Sequence, residues 1–102
     1  MDTTHHTATV QMLSGLTAAA HSRAIEDIGY AALNHPKHVG AISALAADID
    51  RCRAMIDAIA EDMVGLDTDS ARQARDMALD LLEHAHSIGT RIDLMLAIDE
   101  DY

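Results

Sequence analysis

Between Ile42 and Leu66 the large apolar residues fall on two alternating positions of a seven-residue repeat. Ile42, Ile49, Ile56 and Met63 hold the first, and Leu45, Cys52, Ile59 and Leu66 hold the second. An unbroken three-four spacing of this kind predicts a helix whose apolar seam faces other helices along its whole length. At ~1.5 Å per residue that helix runs ~37 Å, so its partners must be of similar length.

The flanking segments supply them. From Thr7 to Leu33 the pattern is again helical: at 100° per residue, Val10, Leu13, Ala20, Ala24, Ile25, Ile28 and Ala32 gather on one side, with Thr17 and His21 inside the arc. Gly15 and Gly29 each cost ~1 kcal/mol in a helix interior, which leaves the continuity of this first helix open. Asn34-His35-Pro36 ends it: Asn accepts a left-handed C-cap, His35 is pushed from α geometry by the proline, and Pro36 suits the first turn of the next helix. The second helix is expected from Pro36 to Val64, with Gly65 as its C-cap glycine and Leu66 folding back on the last turn. Asp67-Thr68-Asp69-Ser70 is rich in N-capping residues, and Ser70 with Gln73 matches a capping box. The third helix follows to Ile98, with Ala71, Ala74, Ala78, Leu81, Ala85, Ile88, Ile92 and Met95 inward.

Short turns near residues 35 and 67 make consecutive helices antiparallel neighbours. The predicted fold is all-α, an up-down-up antiparallel three-helix bundle with long helices. Its rival is a dimerising hairpin of the second and third helices carrying an N-terminal helix. Residues 7–98 form the one domain, with residues 1–6 as a flexible tail and residues 99–102 as an acidic tail placed unfavourably at a helix C-terminus.

Composition sharpens this picture. Apolar residues make up 49% of the 102, yet Phe and Trp are absent and only Tyr30 and Tyr102 are aromatic. Alanine lets helices approach closely, and the β-branched aromatic alternation of strands is missing. Several apolar residues fall outside the seams: Met12, Leu16, Tyr30, Met55, Leu79 and Leu94. On a thin rod they suggest a second interface and a homo-oligomer.

Seventeen acidic groups against seven basic ones give a net charge of −10. Such a balance opposes direct nucleic-acid binding, which needs Lys and Arg to displace counterions, and opposes anionic membrane surfaces. A single cysteine, Cys52, excludes an internal disulfide framework and fits a reducing compartment. With no basic-apolar leader at the start and no run of about 18 apolar residues, a cytoplasmic protein is expected.

Two sets of side chains are candidates for chemistry. Asp50, Asp57 and Glu61 project together on the side of the second helix opposite its seam, a partner-binding acidic face or a merely solvated one. If positions summing to about 70 are level in the first two helices, and to about 135 in the second and third, then His21, Asp48, Asp50, Cys52, His84 and His86 lie within a turn of one another. Zn²⁺ accepts such groups. Against that, Asp50 projects outward, and His84 and His86 sit on different sides of a regular helix. The other reading places His21 and Cys52 as ordinary core residues. Glu83-x-x-His86 is half of a carboxylate-bridged di-iron pattern, and no second Glu-x-x-His occurs. No cofactor motif or catalytic triad signature is present.

These readings lead first to a non-catalytic helical module that associates with itself through apolar helix faces. An alternative is an acidic inhibitor of the phage-encoded kind, mimicking nucleic acid in the basic groove of an enzyme. A third is a metal-binding or sensory bundle.

Overall fold

The computed structural model describes residues 4–98 and forms a rod of 59 × 17 × 15 Å. It contains α1 (Thr4–Asn34), a single 3-10 turn (Pro36–His38), α2 (Val39–Asp62) and α3 (Thr68–Ala97), and each helix packs on both others. Side-chain contacts fix the directions. Ser14 reaches Asp57 and His21 lies beside Asp50, so α1 and α2 run antiparallel in one register. His6 meets Arg75 and Arg23 meets Asp93, so α1 and α3 run parallel. The arrangement is the up-down-up three-helix bundle, with α1 an integral member.

α1 is continuous through Gly15 and Gly29. It also starts earlier than the periodicity suggests: Thr4, His5 and His6, assigned above to a tail, are helical. His6 Nδ1 lies 3.2 Å from Arg75 Nη1 on α3, and the Thr9 hydroxyl donates to the His5 carbonyl at 3.0 Å. The acidic tail, residues 99–102, falls outside the described residues, as do residues 1–3.

The central seam is as read: Ile42, Ile49 and Ile56 are fully buried, and Met63 and Cys52 nearly so. Leu45, Ile59 and Leu66 are only half-covered, because a rod this thin cannot enclose both seam positions of every helix. Two core clusters stack along the rod. One holds Ala24, Ala31, Ile42, Ile49, Ala85 and Ile92, and the other Val10, Leu13, Ile56, Met63, Ala78 and Leu82. Thr17, also fully buried, satisfies its hydroxyl by donating to the Leu13 carbonyl at 2.8 Å.

On α1 the structure corrects two inward assignments. Ile25 and Ala32 are exposed, while Ala31 is buried. Val10, Thr17, Ala24 and Ala31 keep a strict seven-residue spacing, whereas a 100° projection drifts ~20° per heptad and selects the wrong neighbour after three repeats. On α3 Leu82, which falls on neither seam position, is buried alongside Ala71, Ala78, Ala85, Ile88 and Ile92, because a helix with two neighbours buries an arc wider than two positions.

The turns behave as their residues dictate, with local differences. Asn34 stays right-handed and instead donates through Nδ2 to the Tyr30 carbonyl at 3.1 Å. His35 leaves helical geometry (φ −141°, ψ 58°) before Pro36, and the expected first turn of α2 is the 3-10 turn, so α2 proper begins at Val39. After Asp62, Gly65 adopts φ +85°, a left-handed conformation that costs an L side chain ~1–2 kcal/mol, and the Leu66 amide closes on the Met63 carbonyl at 3.3 Å. The N-cap of α3 is Asp67, whose carboxylate accepts from the Ser70 amide at 2.7 Å. That bond holds the Asp67 pKa below the usual carboxylate value.

Candidate functional site

The acidic residues of α2 do not form a free outward stripe. Asp57 accepts a hydrogen bond from the Ser14 hydroxyl and lies 3.9 Å from Arg53 Nε. Asp50 sits 3.8 Å from His21 Nδ1 and 3.8 Å from Arg53 Nη1. Ser14 and His21 are one heptad apart, as are Asp50 and Asp57, so the contacts form a polar ladder along the α1/α2 flank. The assignment opposite the seam fails for a simple reason: in a three-helix bundle each helix has two neighbours, and the flank ~100° from the seam meets one of them. Asp50 and Glu61 are exposed and Asp57 is half-buried, with Glu61 near the end of α2.

The metal candidates are not brought together. Among the described residues no group of three or more His, Cys, Asp or Glu side chains converges on one point. His21 is level with Asp50, as the register predicts, but Cys52 is buried in the core and Asp48 pairs with Arg51. His84 and His86 are exposed on α3. The Cys52 thiol is pushed above its ordinary pKa by burial and then by nearby Asp48, which makes it a poor nucleophile or ligand. It serves as a small core residue.

Two surface features were less legible in the sequence. The first is an open cleft of about 460 Å³ between α1 and α3, lined by the small residues Ala20, Ala24, Ala85 and Gly89. It exists because both walls carry residues too small to meet across it. Its rim is charged: Arg23 Nη2 reaches both carboxylate oxygens of Asp93, at 3.3 and 3.5 Å, and Asp27 stands beside the pair. Partial burial, then Asp93, raises the Asp27 pKa, with Arg23 pulling the other way. A carboxyl whose folded pKa is raised destabilises the fold once ionised, and that penalty sets in as pH rises through the unfolded value and is complete above the folded one. Asp27→Asn should therefore raise the melting temperature by ~1–3 °C at neutral pH, with the gain vanishing below the unfolded pKa of about 3.8. Thermal melts of both proteins from pH 3 to 7 check this, and a gain that does not depend on pH would show that ionisation of Asp27 is not its cause.

The second feature is the outer face of α1. Met12, Leu16, Tyr30 and Leu33 are exposed on it, Leu33 at 85%, and Ile25 is exposed on the opposite flank of the helix. Met12, Leu16 and Tyr30 stand out in the sequence as surplus to the seams. Ile25 and Leu33 do not, the former because of the register drift and the latter because it lies against the end of its helix. This face is also nearly free of charge, since no Asp, Glu, Lys or Arg occurs from Thr4 to Ser22.

No protein-family model, curated protein or solved structure matches the chain. Among the described residues no helix is long and apolar enough to cross a membrane.

Proposed function

We propose that the protein is a non-catalytic helical interaction module that associates with itself through an apolar helix face. One observation carries the reading: in a chain of net charge −10, one face of α1 exposes four large apolar side chains, Met12, Leu16, Tyr30 and Leu33, and carries no net charge of its own. Copies of so acidic a protein repel each other, and contact is least opposed where charge is absent. Apolar surface of this extent on a thin rod gains free energy when covered.

The acidic-inhibitor reading draws less support, because Asp50 and Asp57 are engaged by His21, Arg53 and Ser14 instead of being held out for a basic groove. The metal-sensing reading lacks a convergent ligand set among the described residues.

Sedimentation equilibrium over about a hundredfold concentration range tests the proposal. The mass should climb from 11.0 kDa toward twice that value. Added salt should strengthen the association, since it screens the repulsion between acidic copies and leaves apolar contact intact. A mass that stays at 11.0 kDa throughout would remove self-association.

A further inference from the structure

Beside its core seam, α1 carries a second one. Met12, Leu16, Ala19, Arg23, Glu26, Tyr30 and Leu33 follow each other by alternate steps of four and three, and every one is exposed. Gly15, Ser22 and Gly29 run next to them at seven-residue intervals, also exposed. A side chain added at either glycine would meet nothing within 4 Å, so the packing of this chain gives no reason for its absence. The geometry points to a two-fold homodimer in which this face of α1 packs antiparallel against the same face of a second copy. The inference rests on the self-association reading above and names the surface that performs it.

The residues on the seam select the register. In an antiparallel helix pair, the two seam positions of one helix meet the opposite two of the other. With the two-fold axis level with the Ala24–Ile25 peptide, Leu16 lies opposite the partner's Leu33. Ala19 then lies opposite the partner's Tyr30, and Arg23 opposite the partner's Glu26. Each layer occurs twice by symmetry. Apolar meets apolar, small meets large, and positive meets negative. A slip of one heptad one way sets Leu16 against Glu26, and the other way sets Arg23 against Leu33. Both slips leave a charge facing an apolar side chain, so one register is favoured over its neighbours.

The electrostatics suit a second copy. The seam's only formal charges, Arg23 and Glu26, cancel across the interface, on a protein whose other helices are dominated by acid. Arg23 holds Asp93 through Nη2 alone, and a guanidinium has five N–H donors, so Nη1 and Nε can turn to the partner's carboxylate while the existing pair persists. The glycines beside the seam let the two backbones approach. From Leu16 to Leu33 the contact runs ~26 Å at a width of about one helix, ~10–12 Å, which covers on the order of 300 Å² in projection per copy. Specific interfaces bury about 800 Å² per partner, so the dimer should be weak, at micromolar affinity or below.

Two experiments on the full chain test the surface. The first is a charge exchange followed by sedimentation. Arg23→Glu sets like charges against each other in both central layers and should weaken the dimer about tenfold or more. Glu26→Arg alone should do the same. The combined variant restores opposite charges and should return to within about threefold of the parent, although it has lost the Arg23–Asp93 pair. The second uses Ala19→Cys with Tyr30→Cys in a Cys52→Ala background. Within one helix these positions are ~16 Å apart and cannot bridge, so mild oxidation should give a disulfide-linked dimer. Each single variant should give none. A parent that stays monomeric overturns the self-association reading itself. A parent that dimerises with no bridge between positions 19 and 30, or whose exchanged variant fails to recover, overturns this surface and leaves the reading standing on another.

Discussion

Ile49→Asp should abolish the folded state. Ile49 is fully buried at the centre of a cluster that includes Ala46, Cys52, Ala85 and Ile88, and none of these offers a cation. Placing a carboxylate there removes a buried aliphatic side chain, worth ~2–5 kcal/mol when truncated, and leaves a charge with no partner at a cost of several kcal/mol more. Domains of this size are stable by only ~5–15 kcal/mol. The far-ultraviolet helical signal should be lost or its melting transition brought to ambient temperature. Ile25→Asp is the matched control: Ile25 has the same chemistry but is 50% exposed, and its replacement should cost little. If Ile49→Asp melts with the parent, or Ile25→Asp behaves as Ile49→Asp does, the faces have been assigned the wrong way round.

That pair of residues also marks how far the sequence alone reaches. The α2 seam is legible because four large aliphatics repeat at intervals of seven with nothing competing for the inward side. On α1 the inward side is Val10, Leu13, Thr17, Ala24 and Ala31, mostly small, while Met12, Leu16, Ile25, Tyr30 and Leu33 are larger and stay outside. A size-weighted reading is drawn to the large residues. The bundle puts small ones inward because helices in close contact have no room for more. Gly65 and Pro36 could be placed from sequence because each acts through its own backbone geometry. The choice of Asp67 over Ser70 as N-cap could not, since both present suitable oxygens and the turn decides between them.

The candidate site was harder still. The level of His21 with Asp50 follows from turn length alone, so it could be anticipated. Whether Asp50 and Asp57 point outward depends on which flank of α2 the first helix covers, and hence on the handedness of the bundle. The hydrophobic pattern of α2 is the same for either hand. The α1/α3 cleft is invisible for a related reason: alanine and glycine in sequence show where bulk is missing, and only the packing shows whether anything fills the gap. Asp57→Asn, which would relieve Glu61 if both acids faced solvent, instead alters the contact with Ser14 and loses the attraction of Arg53.

Ala78→Leu tests that close approach directly. Ala71, Ala78 and Ala85 repeat by heptads along α3, and all three are fully buried, with Ala78 packed among Val10, Leu13, Ile56 and Leu82. A leucine adds three carbons where side chains from all three helices already meet. To seat it the helices must separate or neighbouring side chains must leave their rotamers, which costs ~1–3 kcal/mol, despite the extra apolar surface and a helix propensity close to that of alanine. For a domain of about 100 residues each kcal/mol lowers the melting temperature by roughly 4–8 °C. Met77→Leu, one residue away and 60% exposed, should leave the melting temperature nearly unchanged and so separates overpacking from any effect on the helix itself. If Ala78→Leu melts higher than the parent, α3 stands further from its neighbours than the buried alanines imply. The small-residue seam would then be an unfilled groove and not the tightest contact in the bundle.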